Sequence, residues 1–449
     1  MPSSPLSLTS TPPSITLLHH HRPPLPTVRV SATAATTTTA MPDHHPSLEI
    51  TGGGAERFLP ALTTRHLPYK PFPIIGWNRH LETIFAAFFR TIPDVKYRRE
   101  CLRTKDNGTI ALDWVCGDHS SLPPDSPILI LLPGLTGGSQ DSYVKHMLVK
   151  AKSKGWRVVV FNSRGCANSP VTTPQLQTAS FTEDTCHVVD HVSSMFPKAS
   201  IFGVGWSLGG NILVNYLGRE HHRCSLSGAV SLCNPFNLVI ADENLRKGFN
   251  NIYDRALRGG LAATFSKHVS LFEDVNDEYN VQAGLNPRTV REYDEAITRV
   301  SLGFKSVDEY YSNSSSCDVV QHVRIPLLCI QAANDPIAPI EATPYEDIKE
   351  NPNCMLIVTP QGGHLGWVAG DEAPFGAPWT DIMKKISLIK LFGQLSYPGP
   401  ALNGVKWLIK AKTQRNRSER HHTKRISLML EVDENAVKKL PFCLPERKQ

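Results

Sequence analysis

A short strand-forming run, Ser200–Val204, passes directly into Gly205-Trp206-Ser207-Leu208-Gly209, and Asn211–Leu217 continues with helix-compatible residues. A serine set between glycines two positions before and two after belongs on a sharp strand-to-helix turn. Only at such a turn can the backbones of strand and helix approach closely while the hydroxyl is held outward. No other position in the chain fits this pattern. Strand–helix alternation, where it is repeated along a chain, means a mainly parallel sheet covered on both faces.

The rest of the chain keeps the same rhythm. Thr109–Val115 alternates as a half-buried strand does. Ile128–Leu132, Arg157–Phe161, Ala229–Leu232, Pro326–Gln331 and Met355–Thr359 are short apolar runs of the sort that sit in central parallel strands. Tyr143–Lys154 and Thr182–Phe196 read as intervening helices. The interval between Asn234 and Val320 carries no strand signal, and a structureless loop of that length is improbable inside a domain. It reads as a helical lid, about residues 234–320, inserted between two strands. The expected architecture is α/β, a mainly parallel sheet with helices on both faces, over about residues 65–395.

Both ends read differently. Residues 1–40 contain six Ser, nine Thr and no Asp or Glu, with Arg22 and Arg29 as their only Lys/Arg. That composition is of the organelle-transit kind. The run Val28–Ala32 resembles a chloroplast processing site, so the expectation is a leader over residues 1–50 and a chloroplast location, with the cytoplasm as the alternative. Thr51–Ala55 reads as a Gly-rich linker. At the other end, residues 401–449 hold twelve Lys/Arg against five Asp/Glu, within a basic tail over 396–449 expected to be disordered. The formal net charge of +6 therefore belongs to that tail and gives no reason to expect a nucleic-acid partner. No stretch of 18 uncharged apolar residues exists; Ile84–Phe89, the most apolar early segment, is flanked by Arg79, His80, Glu82 and Arg90. Ten cysteines lie without C-x-x-C pairs or zinc spacing and read as free thiols in a reducing compartment.

The chemistry of a serine nucleophile sets further requirements. A hydroxyl attacks poorly unless a base takes its proton, and that base is a histidine oriented by a carboxylate. On folds with this elbow the order along the chain is serine, acid, histidine. Asp335, in Asn334-Asp335-Pro336, follows the strand Pro326–Gln331, and His364, in Gly362-Gly363-His364, follows Met355–Thr359. Both positions lie at carboxyl ends of strands, where open α/β sheets build their sites. The rivals His268, His322, Asp308 and Asp318 fall in the lid or before a strand. The candidate catalytic residues are Ser207, Asp335 and His364. An oxyanion is expected to be held by the amides of Leu208 and Leu135, the latter in the loop Pro133–Gly138, with Thr136 as alternative to Leu135. That loop lacks the G-x-G-x-x-G and G-x-x-x-x-G-K-[ST] patterns of nucleotide sites. This chemistry needs no metal and no organic cofactor.

Together these pieces resemble a known family. Asn78-Arg79-His80-Leu81-Glu82-Thr83, Pro133–Gly138, Asn162-Ser163-Arg164-Gly165-Cys166, Gly205–Gly210, Asn334–Pro336 and Gly362–His364 are similar to motifs of the α/β-hydrolase-4 family, to which plant embryogenesis-associated esterases belong. The resemblance implies hydrolysis of carboxylic esters, with acyl lipids as substrates, and supports the roles of Ser207, Asp335 and His364. Two departures stand out. Pro133 occupies a position often taken by histidine, and Ser396–Gln449 is unlike the family's end, although Asp381–Leu395 could form the covering helix. Any peripheral membrane contact is expected through the lid. Two other uses of the fold remain: a non-catalytic receptor for small ligands, and an acyltransferase working through the same serine.

Overall fold

The computed structural model describes residues 48–58, 69–117, 121–273, 275 and 277–382. Nearly all of the expected leader, the basic tail, and the Asp381–Leu395 helix beyond its first residues lie outside this range. The elements open with β1 (Glu49–Thr51), α1 (Ala55–Phe58), α2 (Arg79–Phe88), β2 (Tyr97–Arg103), β3 (Thr109–Val115) and β4 (Ile128–Leu132). They continue with α3 (Ser142–Lys152), β5 (Arg157–Asn162), α4 (Glu183–Met195), β6 (Ile201–Trp206), α5 (Leu208–Glu220) and β7 (Gly228–Leu232). The interval after β7 is helical, with α6 (Leu238–Leu245), α7 (Asn251–Ser266), α8 (Val281–Leu285), α9 (Val290–Tyr293), α10 (Arg299–Leu302) and α11 (Val307–Ser314). The chain then returns to β8 (Leu327–Ala332), α12 (Tyr345–Glu350), β9 (Cys354–Thr359) and α13 (Trp379–Ile382).

The strands make one nine-stranded sheet in the order β1-β9-β8-β7-β6-β4-β5-β3-β2. The six from β5 to β9 are mutually parallel. β3 runs antiparallel to β5, β2 to β3, and β1 to β9. Side chains alternate across a strand, so each buried strand feeds two cores. Ile128, Ile130 and Leu132 join Val188, Val192, Ile212 and Leu213 on one face. Leu129 and Leu131 join Val144, Met147, Leu148 and Trp206 on the other. A third, separate apolar cluster lies in the helical interval around Phe265, Phe272, Tyr293 and Ile297.

Two edge strands correct the sequence reading. Thr51–Ala55 is not a free linker, and the leader boundary at residue 50 falls inside a strand. β1 pairs with β9, Glu49 opposite Val358 and Thr51 opposite Leu356. A Cβ on Gly52 would lie 2.5 Å from the Cys354 carbonyl oxygen, so the glycine marks close backbone contact. β2 was hidden because YRRECLR leaves most of its positions exposed or half-exposed on the far edge. Such a strand carries no apolar run to announce it.

Candidate active site

The serine elbow forms where β6 meets α5. Ser207 has φ 52° and ψ −122°, a conformation that L-residues adopt only when their surroundings impose it, at a cost of about 1–3 kcal/mol. The glycines explain how the surroundings do so. A Cβ on Gly205 would lie 2.4 Å from the Gly209 carbonyl oxygen, and one on Gly209 would lie 2.1 Å from that of Leu132. The Ser207 N–H donates to Leu232 O at 2.8 Å, pinning the turn to β7.

Three side chains distant in sequence converge here. Ser207 Oγ lies 2.9 Å from His364 Nε2. His364 Nδ1 lies 2.9 Å and 3.1 Å from the two oxygens of Asp335. Since Nδ1 faces a carboxylate, it carries the ring proton and donates it, which leaves Nε2 to accept from the serine hydroxyl. Asp335 is itself fixed, its Oδ1 accepting from the N–H groups of Ile337 at 2.8 Å and Ala338 at 2.9 Å. All three residues are buried. The rivals lie elsewhere: Asp308 pairs with Arg291 at 2.6 Å, Asp318 and His322 sit in a 3-10 turn before β8, and His268 follows α7.

The loop after β4 packs against the nucleophile, since a Cβ on Gly134 would stand 3.3 Å from that of Ser207. Its polar groups are braced one by one. Gly134 N–H donates to the Tyr143 hydroxyl at 3.1 Å, which donates to Asp141 at 2.9 Å. Burial holds the Tyr143 phenol well above its ordinary pKa, so it stays a donor. Thr136 N–H donates to Gln177 Oε1 at 2.7 Å, while Gln177 Nε2 donates to Gly134 O at 3.3 Å. Thr136, the alternative oxyanion donor, is therefore already committed. Among the described residues, no acceptor takes the N–H of Leu135 or that of Leu208 in the first turn of α5.

What sequence reasoning missed is the support of the histidine loop. Asn78 caps α2, its side chain accepting from the N–H groups of His80 and Leu81. That cap turns Glu82 and Thr83 inward. Glu82 Oε2 accepts from Gly362 N–H at 2.8 Å; its Oε1 accepts from Val368 N–H at 3.2 Å and Tyr69 O–H at 3.3 Å. Thr83 Oγ1 accepts from His364 N–H at 2.9 Å and donates to Arg79 O at 2.7 Å. Arg90 adds guanidinium bonds to the carbonyls of Leu365, at 3.0 Å, and Gly366. Burial pushes the Glu82 carboxyl up to about 8, with the N–H donors of Gly362 and Val368 opposing the shift. The motif Asn78–Thr83 stood out in the sequence, yet nothing local revealed that it grips a loop some 280 residues away.

A lid residue reaches the same helix. Tyr253 of α7 brings its hydroxyl to 2.9 Å from His80 Nδ1, and the Phe249 ring packs tilted against the His80 ring at 4.5 Å. Burial, helped by Arg79, lowers the His80 pKa to about 4 and keeps the ring neutral. Cys233 Sγ lies within 4.8 Å of ligand atoms of Asp335 and His364. That set does not suit a metal. Burial and the Asp335 carboxylate hold the thiol protonated, and the other two groups already bind each other.

The alpha/beta hydrolase fold family model matches residues 127–368. Embryogenesis-associated protein EMB8 of Picea glauca is 54% identical over 84% of this chain and 89% of its own length. Human phospholipase ABHD3 is 34% identical over 72% of this chain and 79% of its own, and the monoacylglycerol lipase of Saccharomyces cerevisiae 32% over 65% and 74%. Among solved structures, the Pyrococcus furiosus esterase Pf2001 covers 62% of this chain and 91% of its own at 17% identity, with a TM-score of 0.40.

Proposed function

Because the chain belongs to the alpha/beta hydrolase family and is a carboxylic ester hydrolase of the lipase/esterase kind, we propose that it cleaves acyl lipids through Ser207, His364 and Asp335. The observation that carries this reading is the relay of 2.9 Å from Ser207 Oγ to His364 Nε2 and 2.9 Å from His364 Nδ1 to Asp335.

In the first half-reaction Nε2 takes the hydroxyl proton as Oγ bonds to the ester carbonyl carbon. Asp335 keeps Nδ1–H oriented and stabilises the imidazolium that results. The carbonyl oxygen becomes an oxyanion beside the amides of Leu135 and Leu208, each worth about 3 kcal/mol to the transition state. Collapse breaks the ester C–O bond, and the alcohol leaves with the proton from Nε2. Water then repeats the sequence, giving up a proton to Nε2 while attacking the acyl-enzyme, and the acid is released as Oγ is reprotonated. No step calls on a metal or an organic cofactor.

The apolar cluster of the helical interval after β7 packs against Leu135 of the loop beside Ser207; to that interval we assign the acyl-binding wall, and lipid esters are the substrate class we assign. The test is hydrolysis of acyl esters of graded length, including a monoacylglycerol, by wild type and Ser207→Ala. The reading requires turnover by wild type and its loss in the variant; equal turnover sinks it. We also assign the enzyme to the chloroplast from the acid-free, Ser/Thr-rich composition of residues 1–40. A fluorescent fusion of that segment that stays in the cytoplasm would overturn the assignment.

A further inference from the structure

Helix α2 is amphipathic in the reverse of the usual sense. Glu82, Thr83 and Ala86 face inward, followed by buried Arg90. On the opposite side, at three- and four-residue spacing, stand Leu81, Ile84, Phe85 and Phe88. The polar face is consumed by the histidine loop, so the apolar face is left outward. Flanking residues extend it: Ile74, Trp77, Phe88, Phe89, Ile92 and Phe375 are each between 54% and 66% exposed. Phe85 joins them, its ring 5.8 Å from that of Phe89 and 5.4 Å from that of Phe375. Thr91 ties this end together by donating its N–H to Phe375 O at 3.0 Å. Scattered apolar residues on a surface need no explanation, but an exposed cluster built around the Phe85, Phe89 and Phe375 rings does.

We propose that this face of α2, with its flanking Trp77, Ile92 and Phe375, seats the enzyme on a zwitterionic lipid surface. The inference rests on the lipid-ester reading above, and three observations select the occupant. A surface-lying helix with Trp and Phe on one side suits the interface of headgroups and acyl chains, where rings bury and polar edges stay wet. The rim mixes both signs: Arg79 and Asp94 are exposed, and Lys150 of α3 pairs with Glu372 at 3.2 Å. A mixed rim complements headgroups that carry both a phosphate and an ammonium. The face is also continuous with the site. The same helix holds His364 through Thr83, and the lid's Phe249, itself 44% exposed, packs against the His80 ring. Docking here would bring the lid edge and the histidine loop to the layer that holds the substrate. Contact runs mainly through α2, with the lid contributing at its margin.

The test is cosedimentation of the full chain with phosphatidylcholine vesicles, which carry no net charge to recruit the basic tail. Wild type is expected to sediment with the vesicles, insensitively to added salt. Phe88→Ser/Phe89→Ser/Ile92→Ser is expected to weaken that binding and the hydrolysis of vesicle-borne lipid by at least about tenfold. Its activity on a dissolved short-chain ester should be unchanged. Wild type left in the supernatant at excess lipid overturns the proposal, whatever the variant does. So does a variant that binds as well as wild type, including one whose only change is from dimer to monomer. A folded variant that loses activity on the dissolved ester also overturns it, because the face would then act on the site. Failure of the hydrolase reading is separate: wild type would not turn over the dissolved ester.

Discussion

Thr83→Val removes the tie between α2 and the histidine loop, together with the Oγ1–H bond to Arg79 O within the helix. Valine matches threonine in shape but cannot accept the His364 N–H, now 2.9 Å from Thr83 Oγ1. Both residues are buried, so water does not readily replace the lost acceptor. A stranded buried N–H costs about 1–3 kcal/mol. If the loop stays put, that cost appears as stability, lowering Tm by roughly 1–2 °C per kcal/mol in a domain this large, at about 2.1 cal/mol/K of unfolding entropy per residue. If the loop moves to find a partner, His364 moves with it, and a displacement of about 1 Å costs on the order of a hundredfold in rate. Gly362 N–H remains bonded to Glu82, so partial displacement is the expected outcome. We predict a fall of about 10–100-fold in kcat on a dissolved ester with KM nearly unchanged, and recovery in Thr83→Ser, which restores the acceptor. Steady-state kinetics beside a thermal melt makes the measurement. If Thr83→Val keeps wild-type kcat and wild-type Tm, the tether has no energetic role and the reasoning is wrong.

Glu82→Gln should change how stability depends on pH. The folded-state carboxyl titrates near 8, above its ordinary value of 4.5, so between those values the folded chain holds a proton that the unfolded chain has released. Stability therefore falls as pH rises through that window, by up to about 1.4 kcal/mol per pH unit from this group. The amide cannot titrate, so denaturant midpoints measured from pH 5 to 8 should slope less in the variant; parallel slopes would refute the assignment. Gly209→Ala should cost more than about 3 kcal/mol, because its Cβ would meet two backbone oxygens, of Leu132 and Pro133, within 2.4 Å. Soluble expression and a melt check it, and a native-like variant would show the elbow to be looser than described.

The central strands were legible because burial on both faces leaves uninterrupted apolar runs such as Ile128–Leu132 and Cys354–Thr359. The edges were not: β1 follows a leader-like segment, and β2 runs through three consecutive charges, Arg98-Arg99-Glu100, with Leu102 as its one buried residue. In the site, Ser207, Asp335 and His364 could be named because each follows a recognisable strand. That the Thr136 amide is already taken could not be read locally, since its partner is Gln177, about forty residues onward. The same holds for Glu82 and Thr83. Their partners lie some 280 positions away, and an inward-facing glutamate beside outward phenylalanines runs against the usual reading of a helix.

The most direct test of the account is to react the full chain with a fluorophosphonate and locate the adduct by peptide mass mapping. The account predicts a single phosphonylated residue, Ser207, with labelling abolished in Ser207→Ala and slowed by orders of magnitude in His364→Ala. An adduct on another residue, or undiminished labelling in Ser207→Ala, would contradict it.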